Sequence, residues 1–133
     1  MLRQIPRLAL VLMLAAQSGC GKASSDNPMG NWQIDMPTTL EQAQSLGASA
    51  SDIDGIRRTF DGGRLTITPS TITLSLADTT TASTLEYHLE SKAGECSILR
   101  MQGADAPHRY CVSGSQLKVH DPATPLVVVY RRI

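Results

Sequence analysis

From Arg64 to the C-terminus, apolar and polar residues alternate with a period of two. Leu65 and Ile67 alternate with Thr66 and Thr68, and Ile72, Leu74 and Leu76 with Thr71, Thr73 and Ser75. Leu85, Tyr87 and Leu89 alternate with Glu86, His88 and Glu90, and Ser97, Leu99 and Met101 share one face of the next run. Tyr110 and Val112, then Leu117 and Val119, continue the series. This pattern predicts strands with one face buried and one wet. Leu126–Tyr130 is apolar on both faces, so its orientation is not readable from the pattern.

A slip of one residue turns every side chain of a strand to the other face, so the turns test the pattern. Pro69-Ser70 as a two-residue turn pairs Ile67 with Ile72 and Leu65 with Leu74. Lys92-Ala93-Gly94 as a three-residue turn pairs Leu89 with Ser97 and Tyr87 with Leu99. A symmetric turn at Gln102–Asp105 pairs Ser97 with Tyr110, and Gly114-Ser115 as a type II′ turn pairs Val112 with Leu117. All four registers keep the same residues on the same face. The expectation is an antiparallel meander.

Ahead of Arg64, Gly30–Ile34 reads as a first strand that Pro37 ends. The period then becomes helical. Thr38-x-x-Glu41 is a candidate capping box before Leu40, Ala43 and Leu46, and Gly47 stops the helix. Ser51-x-x-Asp54 starts a second helix with Ile53, Ile56 and Phe60 on one face, weakened by Gly55. Helices this short need tertiary support, on the sheet or over an open barrel end. The expected fold class is all-β with a small helical insert: about eight strands in an up-and-down meander, closed or nearly closed into a barrel. Closure would remove the exposed edges that template aggregation.

The symmetric Gln102–Asp105 turn also sets Cys96 opposite Cys111 on the outer face, which predicts a disulfide between neighbouring strands. Its loop length corresponds to roughly 3 kcal/mol in the chain-entropy model. The alternative is a pair of buried free thiols. A disulfide calls for an oxidising compartment, and the N-terminus agrees. Arg3 and Arg7 precede the apolar run Leu8–Ala16, which is too short to span a bilayer, and small residues follow. Residues 1–19 therefore read as a secretory signal.

Ser18-Gly19-Cys20 resembles a bacterial lipobox, with Gln17 where an aliphatic residue is usual. The resemblance implies cleavage before Cys20 and a diacylglycerol on its sulfur. Gly21 rather than Asp follows, which by the family's rule implies the periplasmic face of the outer membrane. Cleavage after Ser18 is the alternative and would leave Cys20 a free thiol. Residues 20–29 then form the lipidated cysteine and a flexible tether, and residues 30–133 the domain.

The barrel layout, with Gly30-Asn31-Trp32 on the first strand, resembles the lipocalin-like (calycin) group. There a Gly-x-Trp motif packs under a basic side chain of the last strand. The resemblance implies that role for Arg131 or Arg132. Lipocalins proper are longer, with longer strands.

Loss of residues 1–19 leaves 10 basic against 12 acidic residues and a net charge of about −2. With only Arg57-Arg58 and Arg131-Arg132 as basic doublets, the chain has no clustered positive face for a nucleic acid. It carries no nucleophile-elbow, Ser-x-x-Lys, Cys-x-x-Cys, zinc or calcium motif, so no catalytic residue, metal or cofactor is expected. Asp61-Gly62-Gly63 reads as a turn, and His88, Glu86 and Glu90 as a wet strand face. In the derived register His108 lies opposite Asp121 and Arg109 opposite His120; with no nucleophile beside them they read as surface polar pairs.

These features point to a non-catalytic, membrane-anchored protein-binding module, such as an inhibitor or immunity-type protein acting on a cell-wall enzyme in the periplasm. Contacts would then fall on the loops Asp78–Ser83, Gly103–Pro107 and Asp121–Pro125. The alternatives are a carrier of a small apolar ligand and a structural envelope lipoprotein. Against the carrier, strands of about five to seven residues predict an interior filled by its own side chains.

Overall fold

Eight antiparallel strands close on themselves in sequence order in the computed structural model, which describes residues 27–77 and 82–133. The signal segment, Cys20 and the tether as far as residue 26 lie outside the described residues, as does the stretch 78–81. The strands are β1 (Gly30–Ile34), β2 (Arg64–Ile67), β3 (Thr71–Ser75), β4 (Ser83–Ala93), β5 (Cys96–Met101), β6 (His108–Ser113), β7 (Gln116–His120) and β8 (Val127–Arg132). Helices α1 (Met36–Ser45) and α2 (Ala50–Phe60) lie between β1 and β2.

Three hairpins take the registers derived from alternation. Ile67 faces Ile72, Ser97 faces Tyr110, and Val112 faces Leu117. The fourth does not. Gly94, at φ 62°, opens a two-residue turn with Glu95, so Ala93 pairs with Cys96. A bulge between Leu89 and Ser91 then sets Leu89 opposite Leu99 and Tyr87 opposite Met101. The bulged Glu90 pairs its carboxylate with the Arg100 guanidinium. Since β3 reaches only as far as Glu86 along β4, the β4–β5 hairpin runs on past it, and Leu89 stays half exposed.

Both helices begin earlier than their sequence signals suggested. Asp35, not Thr38, caps α1: its carboxylate accepts from the Thr38 backbone N–H (3.2 Å) and hydroxyl (2.8 Å). Pro37 falls in the first helical turn, where a missing N–H costs nothing, rather than ending a strand. Ser49 and Asp52 form the capping box of α2, two residues ahead of Ser51-x-x-Asp54, and the helix runs through Gly55.

Helix α1 settles the orientation of the last strand. The Thr39 hydroxyl accepts from the Val129 N–H (2.9 Å) and lies 3.3 Å from the Val129 carbonyl, on the outer side of β8. Val128 and Tyr130 point inward against Val119 and Leu117, while Val129 points outward and is fully buried beneath the helix. An apolar run with both faces covered has no reason to alternate.

Asp35 joins these layers. It is 6% exposed, and its Oδ2 accepts from Arg131 Nε at 2.8 Å. Burial opposes its charged form, but hydrogen bonds from Arg131 and Thr38 outweigh burial and hold its pKa below the usual carboxylate value. A folded-state pKa below the unfolded one adds stability that is present above the unfolded value, near 3.9, and is lost as pH falls through the folded value. Asp35→Asn keeps a capping side chain and removes the charge. The expected result is a loss of about 1 kcal/mol at neutral pH and a shallower loss of stability below about pH 4, read from urea melts across pH.

Candidate functional site

Chain direction and register give the barrel two different ends. One carries Gly30, the turns at Pro69-Ser70, Gly94-Glu95 and Gly114-Ser115, and Arg132. The other carries the connection to the helices and the loops 102–107 and 121–126.

The first end is sealed. Trp32 is fully buried, and its indole Nε1 donates to the Pro28 carbonyl at 2.8 Å. The Arg132 guanidinium lies over the ring, 4.1 Å from its centroid. The same guanidinium donates to the carbonyls of Met29 (2.9 Å) and Asn27 (3.1 Å), drawing residues 27–29 across the barrel end. Gly30 sits at φ 123°, and a Cβ there would lie 3.0 Å from Arg132 Nη1. Of the two arginines the sequence offered, Arg132 covers the tryptophan, while Arg131 turns to Asp35. Residues 27–29, read from sequence as tether, belong to the folded unit because their carbonyls are the acceptors this cation needs. On the outer face, Cys96 and Cys111 are joined by a disulfide, 4.0 Å apart at Cα.

The second end holds a cavity of about 450 Å³. The expectation of an interior filled by its own side chains is therefore corrected. The reason lies in the order of side chains along the strands. On β1, β4, β6 and β8 the inward ring (Trp32, Tyr87, Tyr110, Tyr130) lies one inward step nearer the sealed end than a smaller residue (Ile34, Leu85, His108, Val128). The rings fill the sealed half, and the open half is left lined by Leu65, Leu74, Met101, Val119, Leu126 and Val128, with Phe60 of α2 at its edge. This volume falls in the range of about 300–1,000 Å³ typical of small-molecule sites.

Polar groups in this wall are few. His108 Nε2 lies 3.7 Å from Asp121 Oδ2. Asp121 Oδ1 accepts from the Ala123 N–H at 2.8 Å, which shapes the β7–β8 loop. His108 Nδ1 is the one buried side-chain polar atom among the described residues without a hydrogen-bond partner. The register that placed His108 beside Asp121 holds, but the pair lines the cavity instead of the outer surface. Burial, with Tyr130, Asp121 and Tyr87 nearby, pushes the Tyr110 hydroxyl pKa far up, and burial raises that of Tyr130 to about 12. Both hydroxyls therefore stay protonated at any physiological pH. Arg100 Nη1 donates to the Asp105 carbonyl at 3.1 Å, fastening the loop that supplies Gln102, Gly103 and Ala104 to the wall.

Comparison with protein-family models, curated proteins and solved structures returned no match. Function has to be argued from the site. Among the described residues no three His, Cys, Asp or Glu side chains converge as a metal site. The loops 103–107 and 121–125 expected to carry contacts both stand at the open end, whereas Asp78–Ser83 lies mostly outside the described residues. The sequence reading missed the cavity. The signal was the rings' common offset toward one end, which acquires meaning only once strand directions are known.

Proposed function

We propose that this chain is a non-catalytic, lipid-anchored binding protein of the bacterial envelope that holds a small apolar molecule in the open end of its barrel. The observation that carries the reading is the apolar cavity of about 450 Å³ at that end. The lipobox-like Ser18-Gly19-Cys20 and the disulfide support export and anchoring to the periplasmic face of the outer membrane. The Gly30–Trp32–Arg132 arrangement supports the lipocalin-like resemblance. Anchored at Cys20, the chain has only residues 21–26 before the seal at Asn27, so the sealed end stays near the lipid and the cavity opens away from it.

The test uses the full chain carrying Cys20→Ser, exported and oxidised, titrated with the neutral fluorophore N-phenyl-1-naphthylamine. The expected result is saturable one-to-one binding. Val128→Phe, which grows into the cavity, should weaken it at least tenfold with Tm within a few degrees of the parent. Absence of saturable binding overturns the reading.

A second reading, an inhibitor or immunity-type protein that docks on a cell-wall enzyme, is favoured by two half-exposed leucines. Leu85 lies at the mouth of the cavity and Leu46 at the C-terminal cap of α1. It requires that Leu85→Asp abolish inhibition of a purified peptidoglycan hydrolase, and no inhibition by the parent protein excludes it for that enzyme.

A further inference from the structure

We propose, building on the reading of the cavity as a ligand site, that its ligand is an amphiphile whose polar end is a hydrogen-bond donor, a hydroxyl or an ammonium, and that Asp121 receives it. Carboxylate-headed ligands are selected against.

Among the described residues, the lining contains one carboxylate, Asp121, and no lysine or arginine. A carboxylate or phosphate head entering this wall would meet a like charge with no cation to offset it, and the surrounding apolar surface strengthens that repulsion. Lys and Arg are the usual partners for an anionic head, and the described residues of the lining supply none.

Asp121 is arranged as an acceptor. Its Oδ1 is held by the Ala123 N–H, which fixes the carboxylate in the loop. Its Oδ2 faces His108 Nε2 at 3.7 Å, beyond hydrogen-bond reach, and keeps lone-pair capacity for a further donor. His108 Nδ1 is itself buried and has no hydrogen-bond partner among the described residues. The polar side of the cavity thus offers Asp121 Oδ2 as its acceptor, with Leu74 of β3 across the closed barrel from it. An apolar pocket with a few convergent polar groups sets ligand orientation through those groups. Here Asp121 places the donor end at the β6–β7 side of the mouth and the apolar body over Tyr110 and Tyr130.

Octylammonium and octanoate have the same chain and opposite charges, so their ratio reports the sign preference of the site. Octan-1-ol reports a neutral donor. Each competes with N-phenyl-1-naphthylamine on the full chain carrying Cys20→Ser, at low ionic strength. The expected result is displacement by octylammonium at a concentration at least tenfold below that needed with octanoate, and displacement by octan-1-ol. Asp121→Asn should shrink the octylammonium-to-octanoate ratio, measured against the variant's own fluorophore affinity, to threefold or less, with Tm within a few degrees of the parent. Octanoate displacing as well as or better than octylammonium, or a ratio indifferent to Asp121→Asn, overturns the head-group assignment and leaves the cavity reading standing. A fluorophore that never binds saturably removes both.

Discussion

Trp32→Ala is expected to lower the unfolding free energy by about 3–5 kcal/mol, the range for removing a large buried aromatic. The residue is fully buried at the sealed end, so its loss leaves a void among packed side chains. Two further contacts go with it. The Pro28 carbonyl loses the indole N–H, and Arg132 loses the ring face 4.1 Å beneath it. The guanidinium's hold on Asn27 and Met29 depends on that position, so residues 27–29 should become protease-sensitive in the variant. Arg132→Ala separates the terms. It removes the cation and leaves the indole, at an expected loss of about 0.5–2 kcal/mol. Urea melts of both variants provide the check. A Trp32→Ala loss below about 1 kcal/mol would mean that the seal contributes little to holding the barrel closed.

Breaking the bridge by Cys96→Ser with Cys111→Ser should cost about 3 kcal/mol, the chain-entropy value for a loop of this size. The two cysteines are 15 residues apart in sequence and directly opposed across β5 and β6. They sit on the outer face, where serine hydroxyls meet water, so the substitution adds no buried unsatisfied group. The loss should therefore come from the unfolded chain, with the barrel and fluorophore binding intact. Addition of dithiothreitol to the parent protein should reproduce the shift in urea midpoint, and have none on the double variant. A midpoint unchanged by both treatments would show that closure of the sheet already provides all the constraint the bridge could add.

Much of the barrel was legible because a strand's period of two makes register a parity question. Pro69-Ser70, Gly114-Ser115 and the turn after Met101 each have one placement that keeps Ile67, Ile72, Tyr110, Val112 and Leu117 on a common face. Parity also explains the failure at β4–β5. Setting Leu89 against Ser97 or against Leu99 leaves it on the same face, so alternation is blind to a shift of two. The bulge at Glu90 absorbs the odd residue, and no hydrophobic pattern marks it. The helix starts went wrong for a related reason. Asp35 and Ser49 are capping residues as good as Thr38 and Ser51, and only the Arg131 pairing and the capping-box contacts select among them.

The sequence by itself determined the strand count, the inward face of most strands, the cysteine pairing and the Gly30–Trp32 signal, since each rests on neighbours along the chain or across one turn. Three matters were decided only when distant segments met. Helix α1 lies on β8 and buries both of its faces, Arg132 rather than Arg131 covers the indole, and every inward ring falls toward the same end. The last of these makes the cavity and sets His108 and Asp121 in its wall. An empty volume is a property of which side chains converge from eight strands at once, and no local pattern encodes that sum.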